Sequence, residues 1–454
     1  MAPRQGANAR MDVAMKAIRL LHLCNEVGLG GTERGIVSFC RDMRYGAFEH
    51  TVACLASAGA RAPQLAGLAE VAVVDGAGGL PGLLRGRRFD AAVVHRAGGP
   101  EERWSQALQA CHDAGIAVIV EINIFGLVDT SPADALIDSH LHISKSSWCA
   151  FRERAGRAGY SRTDRHRVLY IPTDVPRYVE RAAMPGSKTG ARAKLGLRPD
   201  DFVLLRTGRP DPRKWSDLLL DVLPRVSRAV PASRFVFLSA PPTRAWYMKR
   251  QPYAGSVRVL PPTADDDVLA DTYAMSDVYM HSSRRGESFG VSLVEAMAAG
   301  LPVVVDSTPW RDNAQIEVVD HGVTGIVANS GEAFADAVIH LYGHPEERVA
   351  MGGRGREKAL ETYDSKVVCR SMAGLLGTLM RQKGLEAPES AELRAEVRPT
   401  LEELERFRDS ERGAREQHSW GSVAPSRARS PLRRLGWTFV DACEIGARRA
   451  GLIA

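Results

Sequence analysis

Short apolar runs alternate with helical stretches along most of this chain, and that alternation restricts its fold more than any other feature. The runs are Ile18–Leu23, Val52–Leu55, Val71–Val74, Ala91–Val94, Ala117–Val120 and Val168–Ile171, then Phe202–Leu205, Phe235–Leu238, Val257–Leu260, Val278–Met280 and Val303–Val305. Each is rich in Val, Ile or Leu and too short for a self-burying helix. Between them, Glu33–Met43, Glu101–Ala114 and Trp215–Val230 carry helical periodicity. Strands alternating with helices make βαβ units, hence parallel sheets covered on both faces. About a dozen strands exceed the roughly ten that one open sheet holds. The pattern therefore predicts two doubly wound sheets.

Composition excludes several other classes. The 454 residues are 44% hydrophobic and 25% charged, an ordinary globular balance that rules out wholesale disorder. The net charge of +6 is too small for a nucleic-acid partner. Seven scattered Cys without a C-x-x-C pair predict neither a disulfide framework nor a zinc site, and point to a reduced cytoplasmic protein. The first residues lack a signal-peptide run, and no stretch reaches the roughly 18 apolar residues of a membrane span.

The expected organisation is a flexible tail (1–15), an N-terminal domain (16–178), a linker (179–198), a C-terminal domain (199–365), a closing helix (366–384) and a charged helical extension (385–454). The linker is rich in Gly and Pro, and its GSKT lacks the spacing and preceding strand of a phosphate-binding loop. In Pro431–Ala454, Leu432, Leu435, Trp437, Phe439, Val440 and Ile445 sit beside Arg433, Arg434, Arg448 and Arg449. That pattern suits a helix on an anionic membrane surface, or one docked on the protein's own core or a partner.

Three segments carry chemistry. In GESFGVSLVEAMAAGLPVVV (Gly286–Val305), a helix begins near Gly290 after a strand and a loop. Its free N-terminal amides suit a phosphate. Glu287 and Glu295 flank that position, and carboxylates there are acceptors for sugar or ribose hydroxyls. Solvated, dipole-pairing carboxylates are the alternative. In RTGRPDPRKWSDLLLDVL (Arg206–Leu223), a loop after a strand holds Arg209, Arg213 and Lys214. Such cations suit a diphosphate. In LLHLCNEVGLGGTERGI (Leu20–Ile36), Gly28, Gly30 and Gly31 precede a helix and let backbone approach a ligand.

The E-x7-E segment, the G-R-x4-K loop and the G-G-x-E-R start together resemble retaining group 1 glycosyltransferases of the GT-B fold. The resemblance runs from about Arg19 to Gly384 and extends loosely to VLYIPTDV (Val168–Val175). It implies two Rossmann-like domains facing a cleft, with a helical C-terminal extension. It also implies that Arg209 and Lys214 neutralise the diphosphate of a nucleotide-sugar. Ser288, Phe289 and Gly290 would contact that diphosphate, and Gly30 and Gly31 would close on it. Glu287 would hold the sugar and Glu295 the ribose.

The chain departs from the family in three places. Glu121 and Asn123 stand where many members carry a His, and are expected to orient the acceptor. The loop DSTPWRDNAQIEVVDHG replaces a Gly-Gly loop, so Trp310, Asp312 and Asn313 are expected to select sugar or acceptor. Residues 427–454 are additional. Asp265 and Asp267 form a D-x-D before a helix and are expected to cap it rather than bind metal.

The expected function is glycosyl transfer from a nucleotide-diphosphate-sugar to a glycan, lipid-linked or small-molecule acceptor, with retention, without metal and without a further cofactor. The expected location is the cytoplasm, with peripheral contact at the inner membrane face through 431–454. A GT-B-fold nucleotide-sugar epimerase and a non-catalytic nucleotide-sugar-binding subunit are the alternatives.

Overall fold

The computed structural model describes residues 17–43, 48–308, 311–387, 402–405 and 407. The tail, Trp310 and the basic end at 431–454 lie outside the described residues, as does most of the rest of the extension.

The first sheet contains β1 (Ile18–Cys24), β2 (Phe48–Cys54), β3 (Ala69–Val73), β4 (Ala91–Arg96), β5 (Val118–Asn123), β6 (Ser139–His142) and β7 (His166–Val168). Its helices are α1 (Gly31–Asp42), α2 (Gly76–Leu84), α3 (Glu102–Asp113) and α4 (Lys145–Ala158). Next come α5 (Val175–Ala183) and α6 (Ser187–Lys194). The second domain contributes β8 (Phe202–Thr207), β9 (Ser233–Leu238), β10 (Val257–Leu260), β11 (Val278–His281), β13 (Val303–Val305) and β15 (Gly325–Val327) to its main sheet. The short strands β12 (Gly286–Glu287) and β14 (Asp312–Asn313) pair with each other. Its helices are α7 (Leu218–Ala229), α8 (Pro242–Met248), α9 (Asp266–Ala274), α10 (Val291–Ala298), α11 (Gln315–Val318), α12 (Gly331–Gly343) and α13 (Pro345–Lys358), and α14 (Ser365–Gln382) follows.

The sheet orders are β3-β2-β1-β4-β5-β6-β7 and β10-β9-β8-β11-β13-β15, with every pair parallel. Both domains thus begin in the same way: third, second, first, fourth, fifth strand. In each the order reverses next to its first strand, at β1/β4 and at β8/β11. Ligands of open α/β sheets bind at the carboxyl edge of such a reversal. In the second domain the loops after β8 and β11 are the ones holding Lys214 and Glu287. Apolar strands buried on both faces explain why these sequences read as continuous hydrophobic runs. On α10, Leu293, Val294, Ala296, Met297 and Ala298 are all inaccessible. Burial of each large apolar side chain contributes about 1.5–3 kcal/mol.

The expected linker, 179–198, contains the end of α5 and all of α6. Its α6 packs on α9, and buried Arg192 donates to Met275 O (2.9 Å), Pro199 O (2.6 Å) and Asp277 Oδ2 (2.7 Å). Those bonds fasten the segment to the second domain. Helix α7 starts at Leu218 rather than Trp215, because Pro212–Lys214 form a separate 3-10 turn whose Arg213 amide bonds Asp211 Oδ1.

The chain returns to the first domain at its end. Thr173 and Asp364 form a parallel bridge, and α14 then lies against α1, where Arg41 reaches the Ser365 hydroxyl at 3.4 Å. The domains also meet at Glu317, whose carboxylate accepts the Lys145 and Ser146 amides (3.0 and 3.3 Å) at the start of α4. A carboxylate there complements the helix dipole.

Candidate active site

Lys214 ends the turn after β8, and its ammonium lies 2.9 Å from Glu287 Oε2 and 3.2 Å from Gly286 O. On the other side, His281 at the end of β11 places Nε2 3.2 Å from Glu287 Oε1. Burial by itself would raise the Glu287 pKa, but Lys214 and His281 overrule it and hold the carboxyl well below its usual range. Burial, with Arg206 nearby, pushes His281 down to about 4. At neutral pH the site therefore holds a carboxylate at Glu287 and a neutral imidazole at His281. Arg209 is exposed at the mouth of the loop. Arg213 is turned aside into a two-pronged contact with Asp211.

The loop after β13 builds the scaffold for Glu287. Gln315 is fully buried; its Oε1 accepts the Glu287 amide at 3.1 Å and its Nε2 donates to Thr308 Oγ1 at 2.7 Å. The Asp312 carboxylate accepts the Ser288 hydroxyl at 2.7 Å, and Asn313 Oδ1 accepts the Thr308 amide at 2.7 Å. Gly286 has φ +69°, and a Cβ there would sit 1.6 Å from Asp312 O. Only glycine fits that turn. Asp312 and Asn313, expected at the sugar or acceptor, are thus committed to the backbone and hydroxyl that shape Glu287.

Gly290, at φ +101°, is the N-cap of α10, and no side chain caps the helix's first amides. Phe289 is 2% exposed and its ring packs on Tyr170 and Tyr363, so only its backbone faces the site. From the opposite domain, Gly31 begins α1, and a Cβ added to it would lie 2.7 Å from Val291 Cγ2. The N-termini of α1 and α10 therefore meet across the cleft. At Gly30 the Glu33 carboxylate folds back over the backbone.

Glu295, expected at a ribose, is buried. It pairs with Arg34 from α1 and accepts the Tyr273 hydroxyl at 2.8 Å. Arg34 also lies 3.9 Å from Asp266. Asp265 caps α9 by accepting the Asp267 and Val268 amides (2.9 and 3.2 Å), while Asp267 pairs with Arg177 at 2.8 Å. The D-x-D carboxylates thus serve a cap and an ion pair.

Glu121 and Asn123, expected to orient the acceptor, are both buried and bonded within the first domain. Glu121 is fully buried at the carboxyl edge of the first sheet, where Arg96 Nε binds Oε1 at 2.5 Å and His140 contacts Oε2. Arg96 also binds Asp129 at 2.9 Å. Asn123 donates to Leu127 O at 3.0 Å and fills the space a side chain at Gly98 would need. Both hold the domain's own loops. Sequence reading missed Arg34, His281 and Gln315. His281 had a signal, as the last residue of an apolar strand at the carboxyl edge; Gln315 had none.

The fold is that of a two-domain GT-B protein, with Arg209, Lys214 and Glu287 at the carboxyl edge of its second sheet. Residues 201–344 match the family model described as Glycosyl transferases group 1. The D-inositol 3-phosphate glycosyltransferase of Geodermatophilus obscurus is 32% identical over 229 residues, 46% of this chain and 48% of the relative. That of Segniliparus rotundus is 31% identical over 207 residues, 43% and 44%. The chain spans about half the length of these curated relatives. Among solved structures, Anabaena Alr3699/HepE in complex with UDP and glucose superposes with a TM-score of 0.64 at 19% identity, covering 79% of this chain and 99% of that one. WaaG, a glycosyltransferase involved in lipopolysaccharide biosynthesis, gives 0.59 at 14% identity, covering 78% and 99%.

Proposed function

We propose that this protein transfers a sugar from a nucleotide-diphosphate-sugar to an acceptor, with retention and without a metal at the reacting centre. The observation that carries this reading is the meeting of two helix N-termini, α1 at Gly31 and α10 at Val291, beside Lys214 at the sheet's reversal point. Free amides and an ammonium converge where a departing diphosphate gathers charge, and preorganised donors there stabilise the leaving group. Arg209 adds a planar fork from the rim. Glu287, fixed by Lys214, His281 and Gln315, accepts hydroxyls of the donor sugar. Glu295 accepts the ribose after exchanging its contact with Arg34, and Glu33 swings away from Gly30 as the diphosphate arrives. A solved structural relative was crystallised with UDP-glucose, which supports a uridine donor among the first to try.

The acceptor side lies in the first domain. The proposed location is the cytoplasm, with 431–454 touching the inner membrane face. Among the described residues no helix is long and apolar enough to cross a membrane.

The test is a thermal-shift screen of the full chain against nucleotide-sugars. A ligand at about 100 times its Kd adds roughly 2.7 kcal/mol to stability. Product analysis with the stabilising donor, in EDTA and with added Mg2+, then follows. Transfer to an acceptor with unchanged anomeric configuration and no Mg2+ stimulation supports the reading. An altered nucleotide-sugar without acceptor points to an epimerase, binding without turnover to a non-catalytic subunit, and strict Mg2+ dependence to a metal at the centre.

A further inference from the structure

Under α1, on one face of β1 and β2, lies a buried group of imidazoles and thiols that the proposed reaction does not use. His22 (0% exposed) places Nε2 3.1 Å from Nδ1 of His50 (7%). Cys40 of α1 (2%) puts its sulfur within 4.8 Å of both. Cys24 and Cys54, two or four residues further along the same strands, are register partners with sulfurs 3.8 Å apart. His22 Nδ1 faces His95 Nε2 at 3.2 Å. Around them the face is apolar, lined by Ile36, Val37, Val52 and Leu65.

We propose that His22, His50 and Cys40 form a site for one zinc ion. The donor set of two imidazoles and a thiolate is the soft, borderline combination zinc prefers. Bond lengths of about 2.0–2.1 Å to nitrogen and 2.3 Å to sulfur place tetrahedral ligands roughly 3.3–3.6 Å apart. The two nitrogens, 3.1 Å apart, lie close to that separation, and the sulfur, within 4.8 Å of both, must draw in toward them. His95 then receives the other His22 ring nitrogen, as outer partners of zinc-bound histidines do.

The ligands come from β1, α1 and β2, which explains why no ligand spacing stands out in the sequence. The ion ties α1 to the sheet, and α1 is the helix whose first residue meets α10. Its role is structural, and its existence does not depend on the proposed transferase reaction.

The test measures metal in the full-length chain purified without chelator, followed by cobalt substitution and X-ray absorption. We expect one equivalent of zinc, a thiolate-to-cobalt charge-transfer band, and a shell containing one or two sulfurs with two imidazole nitrogens. The band should weaken or disappear in Cys40→Ser and persist unchanged in Cys111→Ser, whose thiol is buried against the other face of the sheet. Absence of stoichiometric metal after zinc loading, a sulfur-free shell, or an unchanged band in Cys40→Ser overturns the proposal. Should Cys40→Ser fail to fold, the metal content and ligand shell of the unmodified chain decide.

Discussion

The ammonium of Lys214 and the carboxylate of Glu287 form a 2.9 Å ion pair across 73 positions of sequence, at the point where the second sheet reverses its strand order. The proposed reaction has opposite uses for these two groups: the cation for a leaving diphosphate and the anion for sugar hydroxyls. Neither acts independently, and this separates the consequences of changing the loop's two cations.

Lys214→Ala removes the ammonium and leaves Glu287 buried with His281 alone. Arg209→Ala removes a rim cation and disturbs nothing inside. Loss of a charge-assisted contact costs about 1.5–3 kcal/mol, or roughly ten- to a hundredfold in turnover. Both variants should lose turnover by that factor, but only Lys214→Ala should also lower the melting temperature. Steady-state kinetics with the donor found by screening, beside melting curves, check this; unchanged kinetics in both variants would sink the diphosphate assignment.

The scaffold under Glu287 gives a second outcome. Gln315→Ala strands the Glu287 amide and removes a donor from Thr308 Oγ1, which keeps its own bond to Asp312 O; burying an unpaired polar group costs about 1–3 kcal/mol. Stability and turnover should fall together. Gly286→Ala should be worse, because its Cβ would overlap Asp312 O at a positive φ. Denaturant unfolding ranks the two, and a Gly286→Ala chain as stable as the parent would contradict the pairing of β12 with β14.

Asp306 makes stability depend on pH. Burial pushes its carboxyl up to about 7, although the Ser282 hydroxyl donates to it at 2.7 Å. A raised folded-state pKa means that the folded chain holds the proton more tightly than the unfolded one. The resulting stability is complete below the ordinary pKa of 3.8 and is lost as pH rises through about 7. Asp306→Asn, which mimics the protonated form, should match the parent near pH 4 and become the more stable chain above pH 7. Parallel melting profiles across that window would remove Asp306 as the source.

The basic end supports a fourth prediction, drawn from sequence since 431–454 lie outside the described residues. Four Arg near an anionic bilayer are worth about 1 kcal/mol each at low salt. The full chain should co-sediment with phosphatidylglycerol vesicles at low ionic strength, and a chain ending at His418 should not. Supernatant location of both would assign the segment to internal or partner packing.

The periodicity of the chain was enough to determine two parallel sheets, because strand and helix signals are local: period 2 or a short apolar run for one, period 3.6 for the other. It likewise located Lys214, Glu287 and Gly290, since a loop after an apolar strand in a doubly wound sheet must emerge at the carboxyl edge. What each side chain touches there was decided only by tertiary structure. Arg34 reaches Glu295 from 261 positions away in sequence, Gln315 reaches back to Glu287, and Glu121, polar at the end of a strand, turns inward to Arg96 and His140. Such partners depend on domain closure and on which strands lie side by side. No local period encodes either; they emerge when the apolar faces pack and every buried polar group must find a partner.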